Sequence, residues 1–136
     1  MKHLVIDASI AVAWMVDAPV PDVASRVLNL IEAGTTPVVP DLWYYEVCNS
    51  LLTAERRGRA APALISSLIS DIERLADFLE ASPTSPSLLM AAARESGLTA
   101  YDAAYLELAR RRKLPLATLD AKMRAAAHKA GIDILK

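Results

Sequence analysis

Four carboxylates in this chain stand where an acid needs an explanation. Asp7 closes the apolar run Leu4-Val5-Ile6 and is followed by Ala8-Ser9. Glu46 is the one charge inside the mostly apolar and aromatic stretch Leu42 to Ala54, with Asn49 three residues on. Asp102 comes three residues after Thr99 at the start of a helical block, and Asp120 follows the apolar segment that contains Thr118. Carboxylates crowded without counterions repel and raise one another's pKa, so a cluster of them is tolerable mainly when a divalent cation neutralises it. An all-oxygen donor set suits Mg²⁺ or Mn²⁺ and argues against zinc, for which paired Cys and His ligands are missing. Each acid also has an ordinary structural reading. Asp7 or Ser9 can cap the next helix, Thr99 and Asp102 fit a capping box, and Glu46 with Asn49 can be a hydrogen-bonded core pair.

Whether the acids meet depends on the elements that carry them. Leu4 to Ile6 reads as a buried strand of a parallel sheet, with helical signal in Ile10 to Val16. The turn Asp17 to Pro21 leads into a helix to about Ala33, with Val23, Val27, Leu30 and Ile31 on its apolar face and Gly34 as its cap. Thr36 to Pro40 is a short strand, and Asp41 starts a helix to about Arg57 in which Trp43, Tyr44 and Tyr45 are expected to pack in the core or an interface. Pro62 opens a helix whose apolar face is Leu64, Leu68, Ile72, Leu75 and Leu79. Leu79 to Ser82 is a short strand, and Ser87 to Ser96 a helix stopped by Gly97.

The following helix is expected to bury Tyr101, Tyr105, Leu108 and Ala109. Leu114 to Thr118 then forms a strand, Ala121 to Ala130 a helix, and Ile132 to Leu135 a closing strand. Strands alternating with helices imply an α/β fold: one domain over residues 1–136, with a mostly parallel central sheet of four to five strands and helices on both faces. In such sheets ligands gather at the carboxyl ends of the strands, which is where Asp7 and Asp120 fall.

The composition bounds the function. With 136 residues, 54% of them hydrophobic and 23% charged, the chain can bury a core without disulfides or metals as staples. The single cysteine, Cys48, fits a reducing cytoplasm, and neither a signal peptide nor a membrane span is expected. A net charge of −1 and a pI near 6.1 lack the global basicity of many nucleic-acid binders. Positive charge is local, in Arg56-Arg57-Gly58-Arg59, in Arg110-Arg111-Arg112-Lys113, and in Lys122, Arg124, His128 and Lys129. Such clusters either close helices against the macrodipole or hold phosphates. A mean hydropathy of +0.27 is high for a small domain and suggests apolar surface covered by a partner.

Val5-Ile6-Asp7-Ala8-Ser9, Glu46-Val47-Cys48-Asn49-Ser50-Leu51, the block Thr99 to Ala109, and Leu116-Ala117-Thr118-Leu119-Asp120 together resemble the ordered motifs of PIN-domain ribonucleases, in particular the VapC toxins of toxin-antitoxin pairs. The resemblance covers nearly the whole chain, and the Thr99 to Ala109 block is its most specific part. It implies a catalytic metal site of Asp7, Glu46, Asp102 and Asp120 that holds Mg²⁺ or Mn²⁺. Ser9, Asn49 and Thr118 would support it, and Arg56, Arg57 and Arg59 would grip flanking phosphates. It further implies an RNA substrate cut to a 5′-phosphate and a 3′-hydroxyl, a VapB-like antitoxin and a homodimer.

Three other readings are compatible with parts of the pattern. One is a PIN nuclease that serves RNA processing or repair and is not a toxin. A second is a phospho-acceptor receiver domain, but it would need another acid beside Asp7 and an acceptor Asp after a central strand, where Val39 is followed by Pro40. The third is a binding module whose acids are only caps.

Overall fold

The computed structural model describes residues 1–136. Its order is β1 His3–Ile6, α1 Ala8–Val16, α2 Asp22–Glu32, β2 Thr36–Pro40, α3 Leu42–Arg56, α4 Pro62–Leu75, β3 Glu80–Ser82, α5 Pro86–Ser96, α6 Ala100–Arg112, β4 Leu116–Ala117 and α7 Ala121–Lys129, with a 3₁₀ turn at Ala76–Phe78. The four strands form one sheet in the order β3-β2-β1-β4, and every pairing is parallel. The α/β architecture with a four-stranded parallel sheet is therefore the expected one.

The strand order has a direct consequence for function. Successive crossovers carry the chain from β1 to β2 to β3, and the last one returns it to the far side of β1 as β4. The order thus reverses between β1 and β4, and a crevice opens at the carboxyl ends of adjacent strands at such a switch point. Asp7 directly follows β1, and Thr118 directly follows β4.

Helices pack in two groups. α1 packs on both α2 and α3, and α3 on α4, with α2 against β4 and α3 against β2, while α6 lies across β1, β2 and β4 and carries α5 and α7. Leu4, Val5, Ile6, Val38, Val39, Leu116 and Ala117 are fully buried, as continuous apolar strands covered on both faces must be. Trp14 ties the first two helices together by donating from Nε1 to the Ala24 carbonyl at 2.7 Å. The Trp43 indole N–H, which is fully buried, has no partner.

Several local expectations change. In α4 the buried positions are Ile65, Leu68 and Ile72, and Leu64 is half exposed. The face is turned by one residue because Ile65, Leu68 and Ile72 are themselves spaced i, i+3, i+7 and point together toward the core. α6 buries every residue from Ala103 to Ala109, so no single stripe describes it, and Tyr101 is 69% exposed instead of packed. A helix laid across the middle of a sheet and covered by two more helices is buried on most sides, and periodicity cannot pick out its inner face. Among the aromatic residues of α3, Trp43 is core but Tyr45 is 78% exposed. The expected closing strand shrinks to one bridge, Leu116 to Ile134, with backbone bonds from Leu116 N to the Asp133 carbonyl and from Leu135 N to the Leu116 carbonyl.

Candidate active site

Asp7 sits at the point where β1 becomes α1, with extended backbone and only 6% of its surface exposed. A buried carboxylate needs hydrogen bonds, and two hydroxyls supply them to the same oxygen. Ser9 Oγ donates to Asp7 Oδ2 at 2.8 Å, and Thr118 Oγ1 donates to it at 2.7 Å. The other oxygen, Oδ1, has no side-chain donor. Asp7 therefore does not cap its own helix, since its side chain accepts no backbone N–H there.

The same two hydroxyls tie in the loop after β4. Leu119 N donates to Ser9 Oγ at 3.1 Å, and Asp120 N donates to Thr118 Oγ1 at 3.0 Å. Asp120 in turn caps α7, with Oδ1 accepting from Met123 N at 3.0 Å, while Arg124 Nη2 donates to the Thr118 carbonyl at 3.2 Å. Asp102 stands in the first turn of α6, whose N-cap Thr99 accepts from Asp102 N at 3.2 Å. Capping and clustering are thus not exclusive: a carboxylate at a helix N-terminus gains from the macrodipole and still turns an oxygen outward.

Glu46 reaches the same place from α3. Its Oε1 accepts a short 2.5 Å hydrogen bond from the Tyr105 hydroxyl, and one turn further along α3 Ser50 Oγ donates to the Glu46 carbonyl at 3.0 Å. Asp7, Glu46, Asp102 and Asp120 line one cleft of about 330 Å³ together with Ala8, Ser9, Val12 and Ser50, and no lysine, arginine or histidine is among the lining residues. All four sequence-derived acids meet in this one opening.

The electrostatics match that arrangement. Burial, and next the negative charges of Asp7 and Asp102, raise the Glu46 carboxyl above the usual range, while the Tyr105 hydrogen bond works the other way. Burial, then Asp120 and Asp7, raise Asp102. Tyr105, desolvated and bonded to a carboxylate, is pushed far above the ordinary phenol range and stays a proton donor.

Hard oxygen donors with no internal cation fit a divalent ion of the Mg²⁺ or Mn²⁺ class. As the side chains stand, no three of them converge on a single ion position.

Two expectations about supporting residues divide here. Ser9 and Thr118 are the donors to Asp7, but Asn49 is exposed, makes no side-chain hydrogen bond and does not line the cleft. Ser50, at i+4 from Glu46, occupies the face expected for Asn49 at i+3. Arg56, Arg57 and Arg59 are exposed at and beyond the far end of α3, which puts Arg56 about 15 Å along the helix axis from Glu46. Spacing alone marks Tyr105 only as an apolar-face residue. The signal that could have singled it out is a buried Glu that needs a donor, alongside a core Tyr whose hydroxyl needs an acceptor.

The fold and the cleft define a class: a small α/β domain with an acidic pocket at the switch point of its parallel sheet. The profile of the PIN domain matches residues 4–129, and the chain belongs to that family. No curated protein sequence matches at a significant level. Solved structures do match. A protein of Pyrobaculum aerophilum superposes with a TM-score of 0.74 at 22% identity, covering 98% of this chain and 84% of that one. VapBC2 of Rickettsia felis, bound to a DNA fragment from its promoter, gives 0.64 at 14% identity, with 98% and 97% covered. VapC20 of Mycobacterium tuberculosis, a sarcin-ricin-loop-cleaving toxin, gives 0.61 at 15% identity, with 90% and 94% covered. At these identities the likeness is one of fold. No helix is long and apolar enough to cross a membrane.

Proposed function

We propose that this PIN-domain protein is a Mg²⁺- or Mn²⁺-dependent endoribonuclease of the VapC toxin type. The observation that carries this reading is the meeting of Asp7, Glu46, Asp102 and Asp120 in one cleft without a compensating cation. A bound divalent ion would lower the pKa of a coordinated water and stabilise charge on the attacking and leaving oxygens of a phosphodiester.

The chain's own residues then have distinct roles. Asp7 offers Oδ1 to the cleft because both hydroxyl donors converge on Oδ2. Glu46 and Asp102 carry the raised carboxyl pKa values, so they gain most from a cation and release any proton they hold when it binds. Asp120 closes the cleft from the α7 side while one of its oxygens stays committed to the Met123 amide. Without a metal, four negative charges would repel an RNA phosphate, so the acids also make substrate approach conditional on metal loading.

The partners follow from the same reading. The protein would act on RNA in the cytoplasm, pair as a homodimer and be inhibited by a VapB-like antitoxin. The occurrence of toxin-antitoxin complexes among proteins of this fold supports that assignment. A direct trial is to incubate the purified chain with structured and unstructured RNA in Mg²⁺, in Mn²⁺ and in EDTA. Cleavage in the first two and none in the third is expected; metal-independent cleavage, or none under any condition with any RNA, would sink it.

A further inference from the structure

Tyr105 is not among the residues lining the acidic cleft, yet it touches one of the acids that are. The Tyr105 hydroxyl donates to Glu46 Oε1 at 2.5 Å across 59 residues of sequence, and the Tyr105 side chain is fully buried. One hydroxyl therefore links α6, which carries Asp102, to the carboxylate of α3.

Resting on that nuclease reading, we infer that Tyr105 is a positioning residue of the metal site, holding Glu46 by Oε1 so that Oε2 is presented to the cleft beside Asp7. Glu46 needs such a hold more than the other acids do. Asp7 has two hydroxyl donors, and Asp120 and Asp102 stand on helix N-termini, but Glu46 has a longer side chain with one more rotatable bond. Tyr105 is its only side-chain hydrogen-bond partner. A Tyr suits this role because its ring is locked in the core, its hydroxyl is a donor that does not ionise here, and it adds no positive charge to compete with a cation. An Arg or Lys in its place would neutralise the cleft from within.

The role separates from simple packing because Phe keeps the ring. Tyr105→Phe is expected to unfold cooperatively with far-ultraviolet circular dichroism like wild type, yet to bind Mn²⁺ about 10- to 100-fold more weakly by titration calorimetry, the loss usual for groups that orient metal ligands. RNA cleavage should be recovered in large part by raising Mn²⁺, so that the metal concentration at half-maximal rate moves more than the rate at saturation. Mn²⁺ binding by the variant as tight as wild type overturns the inference. No Mn²⁺ binding by wild type overturns instead the metal reading on which it rests. Should the variant fail to fold, the wild-type protein carries the test alone: titration with diamagnetic Mg²⁺ should shift the Tyr105 hydroxyl proton resonance, and an unmoved resonance at saturating Mg²⁺ rejects the inference.

Discussion

Thr118 donates its hydroxyl hydrogen to Asp7 Oδ2 at 2.7 Å across 111 residues of sequence, and both residues are buried. The bond joins the ends of β1 and β4, the two strands between which the sheet order reverses. The same hydroxyl oxygen accepts from Asp120 N, so one side chain fixes two acids. The cleft is in this sense a property of strand order, and the acids are placed by backbone turns before any ligand arrives.

Thr118→Val keeps the volume and removes both hydrogen bonds, leaving Asp7 with Ser9 alone. Loss of a buried donor to a carboxylate should cost about 2 kcal/mol. Urea unfolding at neutral pH measures it, with the midpoint falling and the slope unchanged; an unaltered midpoint would show the bond to be energetically idle.

Acid should strengthen the metal-free fold before it weakens it. Glu46 and Asp102 have carboxyls held above the usual range by burial first and by neighbouring acids second. The folded protein therefore binds protons there that the unfolded chain has already released, and the strain of the charged cleft is relieved as pH falls from those raised values toward the ordinary carboxylate range. Glu80 and Glu95 are shifted downward by Arg112 and Arg110, so what they contribute is lost only below that range. Calorimetry in EDTA should give a higher Tm near pH 5 than near pH 7, with a smaller rise in Glu46→Gln. A Tm that falls steadily over this interval contradicts the assignment.

Metal affinity should run the opposite way. Binding releases any proton on Glu46 or Asp102, so Mn²⁺ affinity should drop as pH is lowered through their raised pKa values. Asp102→Asn should in turn raise the Tm of the metal-free protein by a small amount, limited because Asp102 is largely solvated, and should abolish the extra stability that Mn²⁺ gives wild type. Equal stabilisation of both proteins by Mn²⁺ would remove Asp102 from the site.

Away from the cleft, burial decides which ion pairs matter. Glu107 is 5% exposed and is held by Arg111 Nε at 2.7 Å, with the same guanidinium donating to the Pro83 carbonyl after β3. Arg111→Met leaves that carboxylate buried and unpaired and should cost about 3 kcal/mol, the lower end of the range for broken buried pairs because Arg111 is itself a third exposed. Arg110, paired to Glu95 at the surface, should be replaceable by Met with no measurable change in the same unfolding assay.

Much of the fold and the cleft is legible in the residues. An apolar run ending in an acid identifies Asp7, because a parallel strand is apolar throughout and its first polar residue marks its carboxyl end; after β4 the same rule marks Thr118, and Asp120 follows two residues later at the start of α7. Glu46 is visible as a charge in a core helix. The pairings are less visible: periodicity at i+3 favours Asn49, while the contact Glu46 makes is with Tyr105, 59 residues away and set by how α6 crosses the sheet. The same crossing buries α6 on all sides, so spacing cannot tell Tyr101 from Tyr105. The face of α4 differs from its expected position by one residue for a related reason, since Leu64 and Ile65 are equally apolar and only packing chooses between them. The segment Ile132 to Leu135 has strand composition but too little neighbouring edge to form more than one bridge.

If Asp7 and its three companions are the catalytic metal site of a ribonuclease, removing the charge of Asp7 must stop the reaction without unfolding the protein. The measurement is the rate of RNA cleavage in saturating Mn²⁺ by Asp7→Asn beside wild type, with circular dichroism and Tm showing both folded. The variant should lose more than about a hundredfold, beyond what the loss of a merely supporting group produces. A folded Asp7→Asn protein that cleaves RNA at the wild-type rate would contradict it.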